Sequence, residues 1–345
     1  MTGIPSTDER ERYDEGVRTG LAAWLADRHG ADGVRLSGWH RPEGGYSSDT
    51  VFVRAVWTGA GHPQRHELVL RTAPRGAGTF PDYDLSAQSS AQQAAADAGV
   101  PVADPVFEPD PMWIGRPFVL MRRVDGHVAG SVTLIDPWLT SLDEAARGRV
   151  ARGLVEMLAR IHRAVPPGPE HVPHRDNGAE LDHWDGFLDW SSGGAPVATL
   201  VDALRWCRTH RPDREPEPVL LWGDARLENV VVDDDLAIRA VLDWDMATVG
   251  APWHDLAWFT SLDTSMEHLF GRRLPGWPDR EATIDRYEEA AGRSAVPLEW
   301  YETLALLRST ALMTRLGYLR RDAGEAALLP IDDNPLLDLL RARTT

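Results

Sequence analysis

Apolar residues recur every three or four positions in several long stretches of the chain, which is the pattern of helices with one buried face. The pattern is clear near the start, where Leu21, Trp24 and Leu25 lie among acids and arginines. One further stretch is rich in Ala and Gln, lacks helix breakers and ends at Gly99. Helices are predicted over Asp8–Arg28, Asp84–Ala98, Asp143–Val165, Trp184–Arg208, Ile284–Ala291 and Leu298–Tyr318.

Shorter apolar runs with β-branched residues predict strands in the first third of the chain. Thr50–Trp57 and Glu67–Arg71 are two such runs, and a Gly-, His- and Pro-rich turn is expected between them at Gly59–Pro63. Pro117–Met121 is a third run, followed by the polar segment Arg122–Gly126. The first third of the chain is therefore predicted to be rich in strands, whereas the remainder is predicted to be rich in helices.

Two more strand-like runs, Val230–Val232 and Ile238–Leu242, flank the turn-forming acids Asp233–Asp235 and predict a β-hairpin. Asn229 precedes the first strand and Asp243 follows the second. Both side chains are therefore expected at the open end of the hairpin, about 5 Å apart. An amide oxygen and a carboxylate suit magnesium when phosphate oxygens supply further ligands.

Composition and charge narrow the class of protein. The 345 residues are enough for two lobes, and a net charge of −17 argues against a nucleic-acid partner or an anionic membrane surface. The charge suits a cationic substrate, although a solvated acidic surface is the preferred explanation. The single cysteine, Cys207, excludes an internal disulfide. With no membrane-length apolar stretch and no signal-peptide core, a cytoplasmic location is predicted.

The segment Gly223-Asp224, with Asn229 five positions after the aspartate and Asp243-Trp244-Asp245 further on, resembles the aminoglycoside phosphotransferase and choline kinase-like family of small-molecule kinases. Only three asparagines occur in the chain, so one at the required offset is informative. The resemblance implies an α+β, protein-kinase-like bilobal fold. It implies a small β-sheet N-lobe with the lead helix over residues 1–122 and a larger, mostly α-helical C-lobe over residues 123–345.

The resemblance also implies roles for these residues. Asp224, in the loop after the apolar run Val219–Leu221, takes the position of the catalytic base, while Asn229 and Asp243 take those of the Mg²⁺ ligands. Arg226 is expected to assist at the γ-phosphate, with a surface salt bridge as an equal alternative. Asp255 is expected to anchor the catalytic loop and not to act as an acid.

Nucleotide-binding residues follow from the same resemblance, with ATP or GTP as the phosphate donor. They are Ser47, Arg71, Gln88, Met121, Arg122 and Val124. The loop Gly44–Asp49 is expected to approach phosphate, with a plain turn as the alternative, and Gln88 is expected to meet Arg71, with a surface glutamine as the alternative. The backbone of Arg122 and Val124 is expected to meet adenine, and Met121 to line its pocket.

Two departures from the family pattern affect the expected function. All 36 basic residues are arginine, so Arg71 stands where kinases place a phosphate-binding lysine, and Trp222 replaces the histidine usual before Gly-Asp. Trp222 indicates a branch of the family and not a lost activity. In this respect the chain resembles the branch that is abundant in high-GC bacteria such as actinobacteria and similar to the kinase domain fused to acyl-CoA dehydrogenases.

The expected function is Mg²⁺-dependent transfer of the γ-phosphoryl group of ATP or GTP to a hydroxyl of a small molecule. The acceptor is an antibiotic, a natural product or a hydroxyacyl compound, and an elimination after phosphorylation is a further alternative. The rival hypothesis is a nucleotide-binding pseudokinase with a regulatory or scaffold role. The sequence leaves the oligomeric state open.

Overall fold

The structure, a computed structural model, describes residues 7–42, 48–59 and 62–345. The chain divides into two units, the first comprising residues 1–78 and 103–123 and the second comprising residues 79–102 and 124–345. The sequence-based division placed residues 79–102 in the N-lobe. In the structure they belong to the second unit.

The first unit combines one long helix with an antiparallel sheet. Its elements are α1 (Thr7–His29), β1 (Val34–His40), β2 (Asp49–Gly59), β3 (His62–Thr72), β4 (Val106–Glu108) and β5 (Phe118–Arg122). The five strands are ordered β1-β2-β3-β5-β4. The apolar stripe predicted on α1 packs against the sheet, where the Trp24 ring meets the Phe118 ring edge-on with 5.2 Å between centroids. This packing forms the core of the unit.

The β2–β3 hairpin is longer than the sequence analysis predicted. The expected turn at Gly59–Pro63 is mostly strand, because Thr58 lies opposite Pro63 and β2 continues to Gly59. Residues 60 and 61 lie outside the described residues. β5 pairs with β3 from Leu68 to Arg71. Pro63 lies beyond that paired stretch, where its missing N–H costs no ladder bond to β5.

The second unit is mostly helical. Its elements are α2 (Leu85–Asp97), α3 (Pro137–Ser141), α4 (Glu144–Ile161), α5 (Asn177–Ser192), α6 (Ala198–Thr209), β6 (Val219–Leu221), β7 (Val230–Val232), β8 (Ile238–Val241), β9 (Thr248–Gly250), α7 (Trp253–Phe270), α8 (Arg280–Ala291), α9 (Glu299–Asp322) and α10 (Pro335–Thr344). β6 pairs with β9 and β7 with β8, both antiparallel. None of the helices in the described ranges is long and apolar enough to cross a membrane.

The helix predicted over Trp184–Arg208 is two helices. α5 ends at Ser192, where Gly193 takes a left-handed φ of +66° as the C-cap, and α6 starts at Ala198. A left-handed glycine terminates a helix, and Pro196 cannot continue one because it lacks a backbone N–H. The apolar period continues across the break because both helices bury one face in the same core.

Candidate active site

The loop between β6 and β7, residues 222–229, holds the predicted catalytic base. Gly223 has a φ of +89°, and a Cβ at this position would lie 2.1 Å from the carbonyl oxygen of Met246, so only glycine fits. The backbone N–H groups of Trp222 and Gly223 donate to the two carboxylate oxygens of Asp255, at 2.7 and 2.8 Å. Asp255 therefore anchors the loop, as the sequence analysis predicted.

Asp255 is itself supported from behind the loop. His162 Nε2 lies 3.2 Å from Asp255 Oδ2, and His162 Nδ1 lies 2.6 Å from the Tyr287 hydroxyl. All three side chains are buried. These contacts link Tyr287 on α8, His162 at the C-cap of α4 and Asp255 in the first turn of α7. They connect the loop to the helical core.

The Asp224 carboxylate is held by three neighbours. Its Oδ1 accepts a hydrogen bond from Trp258 Nε1 at 2.9 Å, and its Oδ2 accepts one from Asn229 Nδ2 at 2.8 Å. Arg226 Nε lies 3.2 Å from Oδ2. Burial raises the pKa of Asp224, the Arg226 charge opposes this shift, and the Asp243 charge adds to it. The carboxylate is fixed in one orientation, with 13% of the side chain exposed.

Asn229 and Asp243 lie at the open end of the β7–β8 hairpin, as predicted. The backbone N–H of Leu242 donates to the Asn229 carbonyl at 2.8 Å, which brings the residue before β7 beside the residues after β8. The Asn229 amide nitrogen donates to the Asp224 carboxylate and carbonyl, so Oδ1 is the amide atom that could accept a metal ion. Asp243 has a left-handed φ of +53°.

This donor set fits a magnesium ion. Amide and carboxylate oxygens are hard ligands, and Mg²⁺ uses few of them when phosphate and water complete its shell. The Asp243 charge raises the pKa of Asp224, so a cation between the loop and the hairpin would relieve repulsion. In the part of the chain that the structure describes, no group of three or more His, Cys, Asp and Glu side chains is placed to hold a metal ion.

Trp222 joins the loop to the open end of the β7–β8 hairpin. Its indole is fully buried, and Nε1 donates to the carbonyl oxygens of Leu242 at 2.8 Å and Asp243 at 3.2 Å. These bonds hold the backbone at Asp243, where the left-handed conformation is unusual for a non-glycine residue. The sequence analysis treated Trp222 only as a replacement for histidine and missed this donor.

The expected nucleotide-binding residues are divided between the units. In the first unit, Arg71 Nε donates to the Ser48 hydroxyl at 3.0 Å, Met121 is buried, and the Arg122 N–H donates to the Ala103 carbonyl at 3.0 Å. That N–H is therefore not available to adenine, and only the carbonyl of Arg122 stays a candidate. Ser47 lies outside the described residues.

The second unit holds the other two expected residues, Gln88 and Val124. Gln88 is 5% exposed on α2, so it is not the surface glutamine that was the alternative. The structure thus brings Asp224, Asn229 and Arg226 into direct contact and leaves the nucleotide assignments as predictions.

Residues 38–274 match a family described as the phosphotransferase enzyme family. The match covers more than half of the chain and includes the catalytic loop and the β7–β8 hairpin. The chain belongs to the phosphotransferase enzyme family. Membership places the chain among phosphotransferases.

Curated relatives of this phosphotransferase are longer proteins. It is 25% identical over 255 residues to human acyl-CoA dehydrogenase family member 11, covering 69% of this chain and 31% of that protein. It is also 25% identical over 225 residues to mouse acyl-CoA dehydrogenase family member 10, covering 62% of this chain and 19% of that protein. The phosphotransferase therefore spans a third or less of the length of these relatives.

Solved structures confirm the fold. A candidate aminoglycoside phosphotransferase from Ralstonia eutropha JMP134 aligns with a TM-score of 0.67 at 20% identity, covering 94% of this chain and 95% of that one. Aminoglycoside phosphotransferase APH(4)-Ia in complex with ADP and hygromycin B aligns with a TM-score of 0.55 at 18% identity, covering 94% and 98%. The predicted α+β, protein-kinase-like fold is correct.

Three residues around Asp224 were not predicted from the sequence. Trp258 was detectable, because it lies three residues after Asp255 on α7 and so shares its face of the helix. Arg308 on α9 was not, because it is 85 residues from its partner Gly223 and no local pattern marks it. Glu228 was also overlooked: burial raises its pKa to about 7, while the Arg226 charge opposes the shift.

Proposed function

We propose that this phosphotransferase moves the γ-phosphoryl group of ATP or GTP to a hydroxyl of a small molecule in a Mg²⁺-dependent reaction. The observation that carries the proposal is the fixed Asp224 carboxylate, with Asn229 bonded to it at 2.8 Å and Asp243 close enough to raise its pKa. A base beside two metal-ligand oxygens is the arrangement that phosphoryl transfer to an alcohol requires.

Asp224 orients the acceptor hydroxyl and accepts its proton as the bond from the hydroxyl oxygen to the γ-phosphorus forms. The bond from the γ-phosphorus to the β–γ bridging oxygen breaks, and the nucleoside diphosphate leaves with that oxygen. Burial raises the pKa of this carboxyl, which makes its ionised form a better proton acceptor, and the Arg226 guanidinium keeps that form charged. Asn229 and Asp243 would hold magnesium, which supplies charge neutralisation at the phosphate oxygens when it is bound. Because the transition state is loose, this positioning is the main contribution of the protein.

On the nucleotide side, we assign the phosphates to Arg71 and Ser47 and the adenine to Met121, the carbonyl of Arg122 and the backbone of Val124. Arginine can grip two phosphate oxygens at once, so its replacement of lysine is compatible with nucleotide binding. Relatives of similar fold that bind ADP or AMP-PNP support a nucleotide donor.

The acceptor class has two sources of support. One structural neighbour carries hygromycin B and another is named a macrolide 2'-phosphotransferase, which favours an antibiotic or natural-product hydroxyl. The curated relatives are acyl-CoA dehydrogenase family members, which favours a hydroxyacyl compound. Both classes present an alcohol to the same base.

Phosphate transfer from labelled ATP or GTP tests the proposal, with an aminoglycoside, a macrolide and a hydroxyacyl thioester as acceptors. We expect Mg²⁺-dependent labelling of one acceptor, lost in Asp224→Asn and retained in Asp202→Asn. Asp202 is a matched control because it lies exposed on α6 and pairs only locally with Arg205. Labelling that survives in Asp224→Asn would contradict the assignment of the base.

A pseudokinase with a regulatory or scaffold role is the second candidate function. The observation in its favour is the contact of Arg226 with the Asp224 carboxylate, because a base paired with a guanidinium is less free to accept a proton. This function predicts nucleotide-dependent thermal stabilisation of the protein without label transfer to any acceptor.

A further inference from the structure

Arg308 is a buried cation close to the catalytic loop. It lies on α9 with 4% of its surface exposed. Its guanidinium carbon is 5.3 Å from the ring centroid of Trp184 and 4.9 Å from that of Trp258, so two indoles contact one guanidinium. Taking a permanent charge out of water is costly, and such a residue is retained where its contacts offset the cost or serve a function.

The charge partner of Arg308 accounts for only part of this arrangement. Arg308 Nε lies 3.7 Å from Glu180 Oε1, which is an ion pair without a short hydrogen bond. Glu180 also accepts a hydrogen bond from Trp184 Nε1 at 2.8 Å and lies 3.5 Å from Arg175 Nη1. An ion pair with Glu180 alone does not account for the contacts that the guanidinium also makes with Trp258 and the Gly223 carbonyl.

The other contacts of Arg308 lead to the base. Arg308 Nη2 donates to the carbonyl oxygen of Gly223 at 3.4 Å, and this carbonyl belongs to the peptide that joins Gly223 to Asp224. Trp258, whose ring the guanidinium contacts, donates its Nε1–H to Asp224 Oδ1 at 2.9 Å. Arg308 thus contacts one of the groups that hold the Asp224 carboxylate, Trp258, and also the peptide that leads into Asp224.

We infer that Arg308 is a positioning residue for the phosphoryl-transfer reaction, acting on Asp224 through the Trp258 indole and the Gly223 carbonyl. A cation against the ring draws electron density from the indole and strengthens the N–H as a donor, in the way that linked hydrogen bonds polarise one another. The bond to Gly223 fixes the peptide plane before Asp224. This inference rests on the proposed function for its kinetic consequence but not for its structural one.

The structural consequence is tested by NMR of the protein with ¹⁵N-labelled tryptophan, which has fourteen indole signals. Trp258→Phe assigns the Trp258 signal, and Asp224→Asn shows how that signal responds when its acceptor weakens. We expect Arg308→Lys, which keeps the charge but loses the planar guanidinium, to move the Trp258 signal in the same direction. A Trp258 signal that Arg308→Lys leaves in place would overturn the inference.

The kinetic consequence is tested with Mg-nucleotide and the acceptor found to be labelled. We expect Arg308→Lys to lower kcat by about tenfold or more, with the KM for nucleotide changed less than twofold, because a misplaced reacting group lowers the rate without weakening nucleotide binding. The control is Arg280→Lys, because Arg280 pairs with the buried carboxylate of Glu302 and makes no contact with the catalytic loop in the described residues. Equal losses in both variants would mean that Arg308 has only a structural role.

A double-variant cycle covers the case in which Arg308→Lys folds poorly. Trp258→Phe keeps a ring against Arg308 and removes the N–H, and Arg308→Met with Glu180→Gln removes both buried charges together. The cycle compares Trp258→Phe, the Arg308→Met/Glu180→Gln variant and the protein that carries all three substitutions. We expect the fold-loss in kcat of the combined protein to be smaller than the product of the two separate fold-losses. Independent, multiplying losses would overturn the inference. Absence of turnover in the unmodified protein would count against the proposed function alone, since the NMR result stands without it.

Discussion

The two hairpins of this phosphotransferase differ in what holds them together. β2 and β3 have eleven residues each and lie inside a five-stranded sheet packed under α1. β7 and β8 have three and four residues and form a two-stranded sheet, a size that is marginal in water without support. The short hairpin nevertheless carries the residues assigned to the metal.

The support for the short hairpin comes from the chain around it. The backbone of His127 exchanges hydrogen bonds of 2.7 and 2.9 Å with Val232, and the Val241 N–H donates to the Pro101 carbonyl at 2.8 Å. The Trp222 indole holds the carbonyls after β8. The long hairpin therefore contributes to the stability of its sheet, whereas the short hairpin depends on neighbouring segments that hold it in position. Substitutions in the two regions should therefore separate stability from activity.

The largest expected effect is on stability and belongs to the long hairpin. Leu70→Ala removes a side chain that is 2% exposed on β3 and should lower the free energy of unfolding by about 2–5 kcal/mol. Urea unfolding measures the change, and Leu328→Ala, at a position 56% exposed, is the control with little expected loss. A loss below about 1 kcal/mol in Leu70→Ala would contradict the view that the long hairpin contributes strongly to stability.

Asp243→Asn is expected to give the opposite result at the short hairpin. It should lower kcat by more than about 100-fold, because substitution of residues that merely hydrogen-bond to a metal ligand already lowers activity or metal affinity by about 10- to 100-fold. The unfolding midpoint without nucleotide should stay nearly unchanged. The substitution should also abolish Mg²⁺-dependent stabilisation by nucleotide in thermal unfolding. The control is Asp234→Asn at the exposed turn of the same hairpin, where full activity is expected. Retained stabilisation in Asp243→Asn would remove this residue from the metal site.

Arg71→Ala tests whether a residue of the long hairpin can affect ligand binding without affecting stability. Arg71 lies at the end of the long hairpin, yet it is assigned to the nucleotide. Loss of charge-assisted hydrogen bonds should weaken nucleotide binding by about 10- to 100-fold and leave stability intact. Isothermal titration measures the binding. Arg65→Ala on the same strand, where the guanidinium is exposed and pairs with Glu67, should bind nucleotide normally. Unchanged affinity in Arg71→Ala would refute the assignment.

The smallest expected effect is that of Trp222→Phe. The change keeps the ring and removes the donor to the carbonyls of Leu242 and Asp243, so the magnesium concentration for half-maximal turnover should rise by about tenfold. Trp222→His restores a donor and should recover part of the loss. If the histidine variant is no better than the phenylalanine variant, packing and not hydrogen bonding explains the tryptophan.

The features predictable from sequence were those encoded over short distances. The β7–β8 hairpin, the positions of Asn229 and Asp243 at its open end, and helices α2 and α4 follow from patterns that span fewer than thirty residues. The extension of β2 and β3 into the expected turn at Gly59–Pro63 was not predictable, because pairing along a longer sheet outweighs local turn signals at the strand ends.

The environment of Asp224 shows the same limit. Its hydrogen bond from Asn229 joins residues only five positions apart, whereas the bond from Trp258 and the contact of Arg308 with Gly223 join segments 34 and 85 residues away. Such partners depend on how α7 and α9 pack, and packing is not written in the spacing of a single segment. The donor role of Trp222 was hidden for another reason, since an indole in an apolar run predicts packing first.

A crystal structure with Mg²⁺ and a non-hydrolysable ATP analogue would test whether Asn229 and Asp243 hold the metal ion beside Asp224. We expect a metal ion about 2.1 Å from Asn229 Oδ1 and from an Asp243 carboxylate oxygen, with the γ-phosphate facing Asp224. A metal and nucleotide bound elsewhere, with these three side chains away from the phosphates, would contradict this assignment.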